Sequence, residues 1–357
     1  MTRTPYLRPL DFKAGRIELS HGAGGRASAQ LVDELFVPAF DNEWLRQGND
    51  QAVCPPPPEL LQGGRLVMST DAHVVSPIFF PGGDLGSLAV HGTINDVAMA
   101  GARPLYLAAS FIIEAGYPLG ELRRLVESMA QASRAAGVPV VTGDTKVVEP
   151  GKGDGVFITT TGVGVVPAGL RLDGAAAQPG DAVLLSGSIG EHGVAVLSKR
   201  ESLAFDTAIE SDSAALHGLV QAMLQGLGDA AGPGLRLLRD PTRGGLATTL
   251  NEVARQSRCG IELDEAAIPV LPQVAAACEL LGLDPLYVAN EGKLVAVCAP
   301  EAVEPLLAAM RAHPLGQRAA RIGTVLAAPA EQVQMRTRLG GRRMVDWLTG
   351  EQLPRIC

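Results

Sequence analysis

The chain ends on a thiol, Cys357, in the segment Pro354-Arg355-Ile356-Cys357. A cysteine there is expected to be solvent-exposed and free to react, because chain ends are the most mobile part of most domains. A buried cysteine would behave as a small hydrophobe instead. The residues after Gly350 can extend about 25 Å, far enough to enter a cleft on the same molecule or on a partner. Upstream, four acids occur where strand-like segments end or helices begin: Asp50 in Asn49-Asp50-Gln51-Ala52, Asp71 in Ser69-Thr70-Asp71, Asp96 in Asn95-Asp96-Val97 and Asp144 in Thr142-Gly143-Asp144-Thr145. Carboxylates are hard oxygen ligands, and Mg²⁺ at nucleotide triphosphates is held by one or two of them plus water and phosphate oxygens. Any one of these acids taken singly is better read as a cap or turn aspartate. The four together read as a metal–phosphate site, and Asp96, with helix-like sequence on both sides, most needs a reason to be there.

Asp240-Pro241-Thr242-Arg243-Gly244-Gly245 puts an acid, a hydroxyl and a guanidinium at a helix start. That set suits an oxyanion or a metal-bound phosphate, and a plain capped helix equally well. The loops His21-Gly22-Ala23-Gly24-Gly25, Pro81-Gly82-Gly83-Asp84 and Ser186-Gly187-Ser188-Ile189-Gly190 could offer backbone N–H groups to phosphate, though ordinary turns use glycine as freely. None matches the P-loop pattern. Asn290-Glu291-Gly292-Lys293 reads as a hairpin turn between apolar strands, Lys146 as a surface lysine, and His21, His91 and His192 as ordinary loop or helix histidines.

These residues need a scaffold, and the pattern alternates strand with helix. Strands are expected at 65–70, 105–113, 138–141 and 156–166, with helices at 85–100 and 119–136. A break at 169–180 opens a second unit: strand 182–185, a helix from about 191, a helix at 245–256, paired strands near 286–289 and 293–297, and a helix at 301–311. The expected division is 1–168, 169–349 and a tail 350–357. The chain's 357 residues allow two domains, and 46% hydrophobic with 19% charged residues is ordinary globular composition. A net charge of −8 argues against nucleic acid or an anionic membrane as the main partner. There is no apolar run long enough to span a membrane and no visible secretory signal. Five scattered cysteines without a CxxC pair disfavour a zinc site or a disulfide framework. A reducing cytoplasm is the expected setting, with Cys357 a free thiol.

Taken in order, several of these segments carry a resemblance: His21-Gly22-Ala23-Gly24-Gly25, Ser69-Thr70-Asp71, Phe79-Phe80-Pro81-Gly82-Gly83, Asn95-Asp96-Val97, Gly143-Asp144-Thr145-Lys146-Val147-Val148, Thr242-Arg243-Gly244-Gly245, Asn290-Glu291-Gly292-Lys293 and the Pro-Arg-Ile-Cys end. Over nearly its whole length the chain resembles the HypE family, the carbamoyl dehydratases of nickel–iron hydrogenase maturation. The wider superfamily includes aminoimidazole ribonucleotide synthetase, selenophosphate synthetase and thiamine-monophosphate kinase. The resemblance implies a two-domain PurM-like α/β (α+β) fold and a homodimer whose N-terminal domains pair through their sheets. ATP would lie in a cleft between elements of both domains, with the other subunit able to complete it.

The resemblance further implies that a HypF-type carbamoyltransferase loads Cys357. The group is then dehydrated to a thiocyanate at the expense of ATP and passed as cyanide to a HypC–HypD complex. Mg²⁺ would sit on Asp71, Asp96 and Asp144 with Asp50, and the nucleotide would meet Asp71, Asn95, Asp96, Gly143, Asp144, Thr145, Thr242 and Arg243. Glu291 is the expected general base, with Lys146 as electrostatic stabiliser or proton relay, and Arg355 is expected to dock the tail. The alternatives are an ATP-dependent synthetase or kinase of the same superfamily acting on a free metabolite, or a scaffold that binds a metal centre through Cys357.

Overall fold

A computed structural model describes residues 6, 8–49, 51–203, 208–228, 234–350 and 355–357. Asp50 and Pro354, singled out above, lie outside the described residues. The N-terminal unit is built on a four-stranded sheet in the order β1-β6-β4-β5, from β1 (Arg65–His73), β4 (Arg103–Glu114), β5 (Val140–Val148) and β6 (Val156–Val166). β2 (Phe79–Phe80) and β3 (Gly83–Asp84) form a separate small ribbon. β4 and β5 run parallel, as their helical crossover requires, and the other neighbours are antiparallel.

Helix α1 (Leu85–Met99) starts at Asp84, whose carboxylate accepts from the Gly86 and Ser87 N–H groups. Its sequence is apolar or small nearly all round, which marks a helix buried on every side. Indeed it packs on β1 and β6, against α2 (Leu119–Ala136), and against the second unit. The polar pair Asn95 and Asp96 is thereby carried into the interior. α2 ends where Gly137 takes the left-handed conformation.

Among the described residues no helix covers the other face of this sheet. Leu66, Met68 and Ile112 project from it and are exposed, leaving an apolar surface without a partner among the described residues.

The C-terminal unit is a seven-stranded sheet, β13-β12-β9-β11-β7-β10-β8. Its strands are β7 (Ala182–Leu185), β8 (Leu235–Arg239), β9 (Gly260–Asp264), β10 (Val295–Cys298), β11 (Ala320–Leu326), β12 (Val333–Arg336) and β13 (Arg342–Met344). Both faces are covered. Val183, Leu185, Val295 and Val297 join one core, while Ala182, Leu184, Ala296 and Cys298 join the other, the period-two alternation of a strand buried on both sides. The helices are α3 (Glu191–Arg200), α4 (His217–Leu227), α5 (Gly245–Ser257), α6 (Pro272–Leu281) and α7 (Val303–Ala312). Among the described residues no helix is long and apolar enough to cross a membrane.

Two sequence expectations change here. Residues 286–289 are not a strand: Pro285–Tyr287 is a 3₁₀ turn, and β10 pairs instead with β7 and β8. Asn290, Glu291 and Gly292 therefore lie in no hairpin tip but in the interior. β5 runs on to Val148, so Asp144 stands in mid-strand rather than at a strand end.

Candidate active site

The chain's end comes back to the N-terminal unit and is half-buried, which corrects the expectation of an exposed thiol. Its backbone is held on three sides. The Val74 N–H donates to the Cys357 carbonyl (3.1 Å) and the Ser76 N–H to the Arg355 carbonyl (3.1 Å), so Ile356 bridges Val75 as a one-residue strand. Arg200 Nη2 also donates to the Arg355 carbonyl (2.8 Å), and Arg200 Nε to that of Ser76 (2.8 Å).

The Ile356 carbonyl lies 2.8 Å from His192 Nε2. A carbonyl can only accept, so Nε2 carries the proton. Nδ1 is then the acceptor for the Ser211 hydroxyl at 2.7 Å. Burial holds His192 below the ordinary imidazole range, in keeping with this neutral form. The Ile356 side chain is 3% exposed, inside the N-terminal core, and such burial is worth about 1.5–3 kcal/mol. Arg355, expected to dock the tail, forms its ion pair with Asp154.

This docking sets the Cys357 sulfur beside Glu291. Burial pushes the thiol well above its usual range, and the Glu291 carboxylate, within hydrogen-bonding reach, and then Asp71 push it further, with Arg243 opposing. Glu291 is 3% exposed, and its Oε1 has no hydrogen-bond partner among the described residues. Burial raises its carboxyl well above the ordinary range, and Asp240, Asp212, Asp71 and Asp96 add to the effect. A buried carboxyl flanked by other acids is a strong proton acceptor once ionised.

The acids arrive from different elements. Asp71 is on β1, with the Ala72 N–H on its Oδ1 (2.8 Å), and Asp96 is on α1, taking the Ser69 hydroxyl at 2.6 Å. Burial, with Asp71 nearby, raises Asp96. Asp240 follows β8, and burial together with Asp96 and Asp71 lifts it to about 7. Thr242 and Arg243 lead from it into α5, with Arg243 lining a cavity of about 330 Å³ beside Ala72, Ala289 and Cys357. Asn290 ties this corner together: its Nδ2 donates to the Pro241 carbonyl (3.0 Å), and its Oδ1 accepts from the Gly190 N–H (2.7 Å).

Acids crowded this closely raise one another's pKa, and a divalent cation would relieve that repulsion. Among the described residues no three metal-ligating side chains converge tightly enough to hold an ion alone.

Three expected members stand differently. The Asn95 amide is spent on backbone: Nδ2 donates to the Ala214 and Glu291 carbonyls (3.0 and 3.2 Å), and Oδ1 accepts from the Leu216 N–H (2.7 Å). It braces the site from within α1. Asp144 and Lys146 bond each other (Nζ to Oδ1 2.8 Å, to Oδ2 2.7 Å) on β5. β5 is the sheet edge opposite β1, so within one chain Lys146 does not join Glu291. With Gly143 and Thr145 they line a second cavity of about 290 Å³, whose floor is apolar (Leu31, Phe36, Phe40, Phe111) and whose rim includes Gly22 and Gly24. Asp240 and His192 belong to the site more closely than their sequence settings suggested. Asp240 had a visible signal, an acid placed between a strand and a glycine-opened helix. His192 had none.

The two units and the acid-lined cleft between them define a class. The N-terminal domain model of the AIR synthase related proteins matches residues 48–166, and the C-terminal domain model of the same proteins matches 178–336. The chain is 73% identical to carbamoyl dehydratase HypE of Cupriavidus necator, over 99% of this chain and 98% of the relative. A crystal structure of hydrogenase maturation protein HypE in complex with ATP superposes with a TM-score of 0.89 at 50% identity, covering 95% of this chain and 99% of that one. A HypE–HypF complex matches with a TM-score of 0.76 at 46% identity, covering 89% and 99%. The chain belongs to the HypE carbamoyl dehydratase family.

Proposed function

We propose that this protein dehydrates a carbamoyl group carried on its own Cys357, in an ATP-dependent reaction that yields an S-bound cyanide for nickel–iron centre assembly. The observation that carries this reading is the docked end: the terminal sulfur, brought in by backbone contacts, lies against a buried carboxyl at the edge of an acidic cleft. An amide oxygen does not leave as oxide. ATP would supply the phosphoryl group that makes it a leaving group, so that R–S–C(=O)–NH₂ and ATP become R–S–C≡N, ADP and inorganic phosphate. Both N–H protons must depart along the way. Glu291, unpartnered on one oxygen and adjacent to the sulfur, is the acceptor for them.

Asp71, Asp96 and Asp240 would hold the magnesium that accompanies the nucleotide, with Asp50 a further candidate, and Arg243 would meet phosphoryl oxygens. Asp144, Thr145 and Lys146 enter this scheme from a second subunit. The open apolar face at Leu66, Met68 and Ile112 supports a homodimer built by sheet pairing. The cavity over Gly143–Lys146 has the apolar floor and polar rim suited to a nucleotide. A HypF-type carbamoyltransferase would load the thiol and a HypC–HypD complex would receive the cyanide, both requiring the end to leave the cleft.

The test is intact-mass spectrometry of the carbamoylated full chain. ATP-dependent loss of one water is the expected result; no mass change with ATP would overturn the assignment.

A further inference from the structure

The Glu291 carboxyl can serve the terminal sulfur only if the backbone that bears it is held still, and that backbone belongs to no helix or strand. Its polar groups must therefore be met by other segments. The carbonyl of Glu291 is met by Asn95 Nδ2 (3.2 Å) and by the Ala214 N–H (3.3 Å). The other side is met by one residue, Asp212, in the irregular stretch between α3 and α4. Asp212 Oδ1 accepts from the Glu291 N–H (3.1 Å), and Oδ2 accepts from both the Gly292 N–H (3.1 Å) and Lys293 Nζ (3.0 Å). Its side chain is 3% exposed. Burial alone would raise this carboxyl, but the Lys293 ammonium and then the Glu291 N–H outweigh burial and hold it below the usual range.

The plainer account is that Asp212 exists to neutralise Lys293. It explains one of the three bonds. Two consecutive backbone N–H groups aimed at one carboxylate make an anion-holding turn, and Gly292 is the residue that lets the turn close: a Cβ there would run into the Asp212 carbonyl oxygen. Lys293 also has Glu191 Oε1 at 3.9 Å, so Asp212 is not its sole acid.

We propose that Asp212 is a positioning residue for the dehydration, its carboxylate fixing the Glu291–Gly292 turn and so the place of the Glu291 carboxyl beside Cys357. The inference rests on the reading of Glu291 as proton acceptor. The Asp212 carboxylate bonds the Glu291 and Gly292 N–H groups and Lys293, so its removal should move the chemical step and leave binding alone.

The test uses full-length protein carbamoylated on Cys357 by a HypF-type carbamoyltransferase, mixed with MgATP and followed by intact mass in a single turnover. Asp212→Asn keeps the shape but turns a donor toward the turn. The dehydration rate constant should fall about 100-fold, the scale of a misplacement of about 1 Å. The ATP concentration giving half the maximal rate should stay within about twofold, and loading of Cys357 should be unchanged. Gly292→Ala, which removes no charge but pushes the turn off Asp212, should give the same rate-only defect, and it decides the matter if Asp212→Asn does not fold. A folded variant of either kind with a wild-type rate overturns the proposal. So does a loss shared equally by loading, ATP affinity and rate, which is the signature of general damage. Glu291→Gln is run alongside: full rate there sinks the reading of Glu291 itself, whereas a dead Glu291→Gln beside a fully active Asp212→Asn sinks only the role of Asp212.

Discussion

Asp71 and Asp144 lie in nearly one row of the four-stranded sheet, on opposite edges. Asp71 pairs with Thr160, Thr160 with Ala109, and Ala109 with Gly143, the residue before Asp144. Three strand spacings separate them by about 14 Å, with α1 packed on the intervening β6 and β4. If both serve one nucleotide, they do so from different subunits. Mixing Asp71→Asn and Asp144→Asn proteins, each inactive alone, should then restore dehydration. In a mixed symmetric dimer one of two sites is intact, so random exchange of subunits gives about a quarter of the wild-type rate. Activity of the mixture no greater than that of its parts would mean that each chain forms its own site.

Ile356 anchors the docked end by burial, not by charge. Ile356→Ala should weaken docking by about 2 kcal/mol, or about 30-fold. Dehydration should slow while carbamoylation by a partner enzyme, which on the proposed reading would engage the undocked end, is unaffected. Amide exchange at Val74 and Ser76, whose N–H groups hold the end, should accelerate. Unchanged exchange would show that the backbone bridge carries the docking without the side chain.

His91, on α1, takes its Nδ1 partner from Ser213 (2.9 Å), and burial, with His217 next, lowers it to about 4. The unfolded chain binds a proton near pH 6.5 that the folded chain refuses. The stability held by the neutral form is thus complete above pH 6.5 and is lost as pH falls from there to about 4. The loss is about 3 kcal/mol over that window. Urea midpoints at pH 7 and pH 5 should differ more for the wild type than for His91→Gln; equal differences would show that other groups carry the acid sensitivity.

Gly143 opens the Gly-Asp-Thr-Lys run where β5 meets β4, and a Cβ there would strike the Ala109 carbonyl oxygen. Gly143→Ala must part the two strands and should cost more than about 2 kcal/mol. It should also displace Asp144 and lower ATP affinity, readable by calorimetry. A variant with wild-type stability and affinity would mean that β5 yields freely.

Periodicity gave away most of the scaffold. The expected strands at 65–70 and 156–166 and helices at 85–100 and 119–136 correspond to β1, β6, α1 and α2, because each buries a regular stripe or is apolar all round. The strand expected at 286–289 failed for a physical reason. Leu286, Val288 and Ala289 are apolar because they are buried, but the Tyr287 and Val288 N–H groups turn back onto the Asp284 and Pro285 carbonyls, and the groups that follow bond to Pro241, Asp212, Asn95 and Ser186 instead of to a neighbouring strand. Site acids at element ends, Asp71 and Asp240, were visible as types. The partners Asp212, His192 and Arg200 were not, since each acts through a contact between segments far apart in sequence. That Asp144 and Lys146 stand apart from Glu291 follows from strand order, which no local pattern encodes.

The grip on the last three residues falls on carbonyl oxygens, on the Ile356 side chain and on the Arg355 guanidinium; among the described residues, Glu291 alone lies within hydrogen-bonding reach of the Cys357 sulfur. On the proposed reading, empty, loaded and spent forms of the thiol would present the same handle to the cleft. Such a berth does not distinguish cargo from its absence. What sends the finished product outward would then be supplied by whichever protein competes for that strand of backbone, and traffic through the cleft would be scheduled by visitors, not by the chemistry just completed.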